Sequence, residues 1–231
     1  MKVREIDPSV KALVRANDGY CPCLVEKTPD TKCPCRDFRE MEEGVCHCGR
    51  FEKFVGPKVT VIEYPTEQDW LAVKERALVT VGLKAKNAPD IEWKDEILEA
   101  RHSPIRRLRF AFLIEELPYW VSVHLCRHIH AQPYVKSQRN DRQAEYDRNA
   151  ARQDAPVTMI WDMTGEELLI VANKRLCNQA IKETRDVVQK MCDLVIEKCP
   201  EFKRHLVPMC EYHGNICHEM KPCGRYEKAV R

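Results

Sequence analysis

Apolar positions recur in two rhythms along the chain. Val59 to Tyr64 (VTVIEY) is short and β-branched and predicts a strand. Thr66 and Asp69 open a helix that carries Trp70, Leu71, Val73, Ala77 and Leu78. Ile91 to Ala100 predicts a second helix, with Ile91, Trp93, Ile97 and Leu98 on one side. Leu108 to Ile114 (LRFAFLI) predicts a strand, and Pro118 suits the first turn of a helix running to about His130. Residues 136–155 are very polar and predict a loop or an exposed helix. Thr164 and Glu167 form a capping box ahead of one long helix. That helix places Leu168, Leu169, Leu176, Ala180, Ile181, Val187, Val188, Met191, Leu194 and Val195 at helical spacing and stops before Pro200. The fold class is α/β (α+β), a small helical domain fused to a mixed α/β domain. No internal repeat or low-complexity tract interrupts it.

Residues 1–55 follow neither rhythm. Their apolar content is little more than Val10, Leu13, Val14, Phe38, Phe51, Phe54 and Val55. A core that small rarely holds a fold alone, and a metal centre would supply the missing stabilisation. Gly56–Pro57 reads as a hinge into a second domain. The expected organisation is 1–56, 57–208 and a tail at 209–231.

Composition narrows the function. In 231 residues, 44% hydrophobic and 7% aromatic content excludes general disorder. Lys+Arg 38 against Asp+Glu 36 leaves a net charge of +2. That argues against a polybasic nucleic-acid or membrane binder, though not against a local basic pocket. The longest apolar runs, such as Leu168 to Ala172, cannot span a bilayer. The start, MKVREIDPSV, shows no secretory signal, so a cytoplasmic location is expected. The eight glycines form neither GxGxxG nor a P-loop, the four serines (Ser9, Ser103, Ser122, Ser137) form no GxSxG, and HExxH is absent.

Cysteine is the unusual residue. Six of 13 lie between Cys21 and Cys48, as Cys21-Pro22-Cys23, Cys33-Pro34-Cys35 and Cys46-His47-Cys48. In a reducing compartment such a cluster points to metal or redox chemistry rather than a disulfide scaffold. Structural zinc usually draws on wider pairs, which leaves one or two zinc ions as the rival reading. An iron–sulfur cluster takes four thiolates and leaves two, and that pair has the makings of a redox disulfide. This segment, residues 8–54, resembles the catalytic chain of ferredoxin-thioredoxin reductase, whose pattern is CPC…CPC…CHC. The resemblance implies that Cys21, Cys33, Cys35 and Cys46 bind a 4Fe–4S cluster. It implies that Cys23 and Cys48 form the active disulfide, with Cys23 the exposed attacking thiol, and that His47 moves the proton. A ferredoxin-like donor would be one partner, and the acceptor either a thioredoxin-like protein or the chain's own second domain. The attacking thiol has to be partly thiolate and accessible.

In the second domain His124, Arg127 and His128 share a helix face. Arg127-His128-Ile129 is followed, after seven residues, by Ser137-Gln138-Arg139, and His102 stands upstream. Asn173-Lys174-Arg175, Ala180 and Glu183 lie downstream. This order resembles the flavin-dependent thymidylate synthases, with their RHRxxSxNExSxRY signature and late NxRxxxxAxxE helix, over residues 58–206. The resemblance implies FAD between the subunits of a homotetramer, and methylation of dUMP or a related pyrimidine nucleotide from methylene-tetrahydrofolate. His102, Arg127 and His128 would face the flavin, and His124, Ser137, Arg139 and Arg175 the nucleotide. Guanidinium groups match phosphate bidentately. This chain departs from the signature at Ile129 for arginine, Tyr134-Val135 for the Asn-Glu pair, Asn140 for tyrosine and His124 for glutamine.

Plainer readings stand beside these. His124 and His128 suit a metal or a buried polar pair; Arg127 and Arg139 suit the surface; Arg175 suits an ion pair with Glu183 or Glu166. The tryptophans read as core, and the run Arg101–Arg109 as partly solvated. Cys126, Cys177, Cys192 and Cys199 read as small core fillers. The tail gathers Cys210, His213, Cys217, His218 and Cys223, a possible zinc site through Cys210, His213, Cys217 and Cys223. The sequence therefore supports a redox flavoenzyme with a fused iron–sulfur module. Its rivals are a disulfide reductase whose second domain is a non-catalytic nucleotide-binding or oligomerisation scaffold, and a zinc-stabilised interaction protein.

Overall fold

The computed structural model describes residues 2–5, 7, 9–54, 56–139, 147 and 150–229; Val55 and Asn140 lie outside them. The chain forms two compact units, Met1–Gly56 and Pro57–Arg231.

The first unit runs β1 (Lys2–Glu5), α1 (Val10–Ala16), α2 (Arg36–Glu40), β2 (Gly44–Val45) and β3 (Phe51–Phe54). Its strands pair antiparallel in the order β1-β3-β2, with Glu5 opposite Phe51, so a small sheet joins the expected helices. Among the described residues its buried side chains are Val10, Val14, Phe38, Cys21, Cys35, Cys46 and Lys53, whereas Leu13 faces solvent. Phe38 stacks on Phe51 with ring centroids 5.9 Å apart. Buried Lys53 donates to the Arg39 carbonyl at 2.7 Å, which satisfies its ammonium.

The second unit runs β4 (Lys58–Glu63), α3 (Glu67–Val79), α4 (Ile91–Glu99), β5 (Arg109–Pro118), α5 (Tyr119–Leu125), β6 (Gln132–Val135), β7 (Pro156–Thr164), α6 (Gly165–Arg175), α7 (Lys182–Lys198) and α8 (Met209–Tyr212). The strands form an antiparallel sheet in the order β4-β5-β7-β6. Along β7 the residues Val157, Met159, Trp161 and Met163 are buried in strict alternation, the period of a strand with one face on the core. Among the described residues no helix is long and apolar enough to cross a membrane.

Three expectations need correction. Pro118 ends β5, paired with Pro156, and caps a helix that stops at Leu125 rather than His130. Proline without an N–H is tolerated at a strand end, and the chain turns after α5 through His128 N–H to the Leu125 carbonyl at 3.1 Å. Ile91 is exposed, not on the packed side of α4. The long helix is two helices, α6 and α7, with residues 176–181 between them. Ala180 N–H closes a turn on the Cys177 carbonyl, and Ile181 is extended and half-exposed.

Local chemistry sets the helix starts. Thr66 Oγ1 accepts from Asp69 N–H while Asp69 accepts from Thr66 N–H at 3.0 Å, the expected capping box. Gly165 opens α6 in a place where a Cβ would stand 3.0 Å from the Ile105 carbonyl oxygen. A larger residue there would push α6 off the turn at Ser103–Arg107.

Inside this core Trp70 Nε1 donates to Glu201 at 2.7 Å, and the Lys94 ammonium sits 5.3 Å from the Trp70 ring. Trp70→Phe keeps the packing but leaves the Glu201 carboxylate without its donor. The expected cost is about 2 kcal/mol, within the range for stranding a buried hydrogen-bonding group. Urea unfolding reads it as a lowered midpoint; an unchanged midpoint would contradict the role given to this bond.

Candidate functional site

The second unit's candidate site is organised by a chain of three side chains, buried Glu167 and His128 and half-buried Arg175. Glu167 lies in the first turn of α6 and Arg175 ends it, about 12 Å further along the axis. His128, in the turn after α5, bridges them. Its Nδ1 lies 3.1 Å from Glu167 Oε1, and its Nε2 lies 2.9 Å from Arg175 Nε. A guanidinium nitrogen can only donate, so Nε2 is the acceptor and Nδ1–H donates to the carboxylate. The imidazole is thereby fixed as the neutral tautomer. Its ring meets Trp161 edge-on at 5.9 Å. Arg175 Nη2 also donates to the His124 carbonyl at 3.2 Å.

Glu167 was legible only as a cap. Its N–H does donate to Thr164 Oγ1 at 3.2 Å, but its carboxylate goes to His128. Arg175 pairs with neither Glu183 nor Glu166; Glu166 pairs with Arg106 at 2.6 Å. Among the described residues no carboxylate lies within ion-pair distance of Arg175 or of exposed Arg127. Burial, and then the neighbouring Arg127 charge, hold the Arg175 guanidinium below its ordinary value. Two cations without an anionic partner, one of them partly desolvated, form an anion-seeking pair.

The other expected residues are placed as follows. His124 is half-buried, with Nδ1 3.4 Å from Thr184 Oγ1 and its ring edge-on to Trp120. His128 uses both nitrogens within the chain, so the described geometry gives no His124–His128 metal pair. Arg139 N–H donates to Ser137 Oγ at 3.3 Å, and neither shares a hydrogen bond with Arg175. His102 is exposed and lines a cleft of about 670 Å³ with Arg76 and Arg106, and a second of about 320 Å³ with Trp93 and Glu96.

In the first unit the three CxC pairs are drawn together by backbone bonds. Cys21 N–H donates to the Thr31 carbonyl at 2.8 Å and Cys33 N–H to the Gly19 carbonyl at 3.0 Å, which zips the first two pairs face to face. Cys46 N–H donates to the Phe51 carbonyl at 2.8 Å, and a turn closes on Gly49, whose φ of +72° favours glycine. The Cys21, Cys23 and Cys48 sulfurs lie within 4.8 Å of one another, and Cys46 Sγ is 3.4 Å from Cys48 Sγ. Phe51 N–H donates to Cys46 Sγ at 3.1 Å, and Arg50 Nη1 to Cys33 Sγ at 3.4 Å. Burial pushes the Cys21, Cys23 and Cys33 thiols up. Cys21, Cys35 and Cys46 are buried, Cys33 and Cys48 half-buried, and Cys23 and His47 exposed.

The remaining cysteines divide. Burial pushes Cys199 up to about 12 and Cys192 higher, which suits inert core thiols. Cys126 is half-buried. Among the described residues no three of the tail ligand atoms of Cys210, His213, Cys217 and Cys223 lie within 4.8 Å of one another, and exposed His213 lies ring against ring with His218 at 4.8 Å.

Comparison with known proteins bears on the second unit. The thymidylate synthase X of Helicobacter pylori with FAD and dUMP superposes with a TM-score of 0.55 at 15% identity, covering 67% of this chain and 99% of that one. The chain carries the fold of the flavin-dependent thymidylate synthases. A second Helicobacter pylori structure of that synthase, complexed with FAD and dUMP, gives 0.52 at 16% identity over 61% and 95%. The UMP/dUMP methylase PolB of Streptomyces cacaoi bound with 5-Br dUMP gives 0.52 at 14% over 65% and 97%. The family described as thymidylate synthase complementing protein matches residues 141–201. That stretch of the synthase fold takes in β7, α6 and α7, and so Glu167 and Arg175. Among curated proteins no match was found.

Proposed function

We propose that the second unit binds FAD and a pyrimidine deoxynucleotide, dUMP or a close relative, and methylates it at C5, while the first unit holds a 4Fe–4S cluster and relays electrons. The observation that carries the nucleotide half is the Glu167–His128–Arg175 chain. It presents Arg175, with Arg127 beside it, to an anion that the described residues do not supply. A phosphate monoester fits that pair in charge and in fork geometry. Ser137 and Arg139 take the nucleotide's remaining polar edge. His128 acts by fixing Arg175 rather than by touching flavin. The cleft at His102, with Arg76 and Arg106 on its walls, suits the flavin diphosphate. Flavin bound there would supply the redox chemistry and the relay of the one-carbon unit. The active form is a homotetramer with the flavin between subunits.

The first unit's sulfurs fit a cluster by chemistry and by burial. Cys21, Cys35 and Cys46 are withdrawn from solvent, Cys33 is half-covered, and Arg50 and the Phe51 amide direct donors at sulfur, one of the means by which proteins tune a cluster. Cys23 is exposed beside Cys48, as a disulfide that meets a thioredoxin-like partner has to be. A cluster supplies electrons singly from a ferredoxin-like donor.

The test is anaerobic isolation of the full chain, with its visible spectrum and tritium release from dUMP labelled at C5 in the presence of methylene-tetrahydrofolate and dithionite. Expected are iron, sulfide, bound flavin and tritium release. A flavin-free protein indifferent to dUMP overturns the second-unit reading, and a colourless, iron-free one overturns the first. One observation favours a second reading, a disulfide reductase with a nucleotide-binding but non-catalytic second unit. Ile129 is 82% exposed where the synthases carry arginine, and Tyr134–Val135 in β6 replace their Asn-Glu pair. Binding of dUMP without tritium release selects it.

A further inference from the structure

Arg50 stands two residues beyond Cys48, between the turn at Gly49 and the start of β3. Gly49 N–H closes that turn on the Cys46 carbonyl at 2.8 Å, and the Arg50 carbonyl accepts from Asp7 N–H at 3.4 Å. Glu5 of β1 lies opposite Phe51 in the sheet, so its carboxylate comes beside Arg50 and accepts from Nε at 2.7 Å. The guanidinium carbon sits 4.5 Å from the centre of the Phe51 ring. These contacts fix the plane of the group, and its Nη1 donates to Cys33 Sγ at 3.4 Å. The Arg50 side chain is only 12% exposed.

An exposed ion pair carries little weight because water screens it. This cation is largely withdrawn from water, so it acts on the sulfur with much less screening. Neighbouring cations are spent on backbone: Arg39 donates to the Pro34 carbonyl at 2.9 Å and Lys53 to the Arg39 carbonyl at 2.7 Å. Cys33 is also the half-buried member of the four expected ligands, the other three being buried. The arrangement is asymmetric. The sulfur meets the cation directly, whereas Glu5 is bonded to the cation. The carboxylate therefore acts on the sulfur at longer range and with the opposite sign.

We propose that Arg50, held in place by Glu5, sets the reduction potential of the first unit's sulfur site and raises it; the inference rests on the cluster reading of that unit. Each electron received there adds negative charge. A fixed positive charge, with an N–H on a ligand sulfur, stabilises the reduced form and so favours uptake from a ferredoxin-like donor. Both are positioning residues: Arg50 acts through Cys33, and Glu5 acts through Arg50. Removing the two charges one at a time, while keeping polar side chains of similar size, therefore moves the potential in opposite directions. A merely structural ion pair would give no such contrast, because losing either partner would disturb the fold in the same way.

The test is an anaerobic redox titration of the full chain, followed by visible absorbance, with iron and acid-labile sulfide measured per chain. Arg50→Gln is expected to lower the midpoint. At the wild-type midpoint its ratio of oxidised to reduced protein rises about tenfold, equivalent to about 59 mV for a one-electron couple. Glu5→Gln keeps an acceptor for Arg50 and removes the opposing charge, so its midpoint is expected to rise by a smaller amount. Arg50→Lys is expected to fall between wild type and Arg50→Gln, because an ammonium keeps the charge but cannot hold Glu5 and Cys33 in one plane. Lys27→Gln, which removes an exposed cation paired with Asp18, is expected to leave the midpoint in place. Should Arg50→Gln fail to hold iron, the upward shift in Glu5→Gln still decides. Coincident midpoints in iron-loaded variants, or shifts of one sign for Arg50→Gln and Glu5→Gln, overturn the proposal and leave the cluster reading standing. Wild-type protein without iron overturns the cluster reading and the proposal with it.

Discussion

Replacing Arg175 by alanine is expected to weaken dUMP binding by at least about 2 kcal/mol, roughly 30-fold, the lower end of what truncating a hydrogen-bonded charge pair costs. The guanidinium is already held by His128 and the His124 carbonyl, so little of its rotamer freedom remains to be lost on binding. Arg175→Lys is expected to recover little. An ammonium on a flexible stem cannot bond the His128 ring and the His124 carbonyl while presenting a fork to phosphate. Glu167→Gln is expected to give a smaller loss in the same direction, because it weakens the hold on the His128 tautomer without removing the cation. Titration calorimetry with dUMP and with deoxyuridine reads the effect. The phosphate-free nucleoside keeps its affinity in Arg175→Ala if the side chain acts on phosphate, whereas an equal loss for both ligands would point to disrupted packing. An unchanged dUMP affinity removes the nucleotide from the end of α6.

What could be read from residues alone followed the range of the interaction. The Thr66/Asp69 capping box is local and was legible. The strand β7 is not anticipated, although Val157, Met159, Trp161 and Met163 alternate, because it lies between the very polar run 136–155 and the Thr164 cap and neither marks it. The break between α6 and α7 was hidden by arithmetic. Leu176 and Val187 are eleven residues apart, about three helical turns, so the apolar stripe keeps its phase across a segment that is not helical. His128 and Arg175 were found by spacing, but their partner Glu167 was not. A glutamate three residues after a threonine is fully explained as a cap, and nothing local shows that its carboxylate turns inward to a histidine 39 positions earlier. Cys177, which reads as a core filler, is half-buried between α6 and α7 and lines a cavity with tail residues that nothing local places beside it.

Removing iron from the full chain is expected to unfold the first unit and leave the second folded. The first unit's buried apolar side chains, cysteines aside, are Val10, Val14 and Phe38 among the described residues. At about 1.5–3 kcal/mol for each fully buried side chain, three do not hold a sheet and two short helices against their conformational entropy. Structural metal ligation reaches on the order of 10 kcal/mol and is coupled directly to folding. The second unit instead rests on a continuous core that includes Trp70, Phe110, Phe112, Trp161 and Phe202, none of which depends on a cysteine ligand. Hydrogen exchange after anaerobic chelation separates the two. The Cys21 and Cys46 amides, bonded to the Thr31 and Phe51 carbonyls, are expected to lose protection, while amides of β5 and β7 keep it. Protection that survives at Cys21 and Cys46 in iron-free protein would mean that the six sulfurs pack as a core in their own right. The electron-relay reading would then lose its physical basis, because a site that stands without metal gives no reason for four of its cysteines to be ligands.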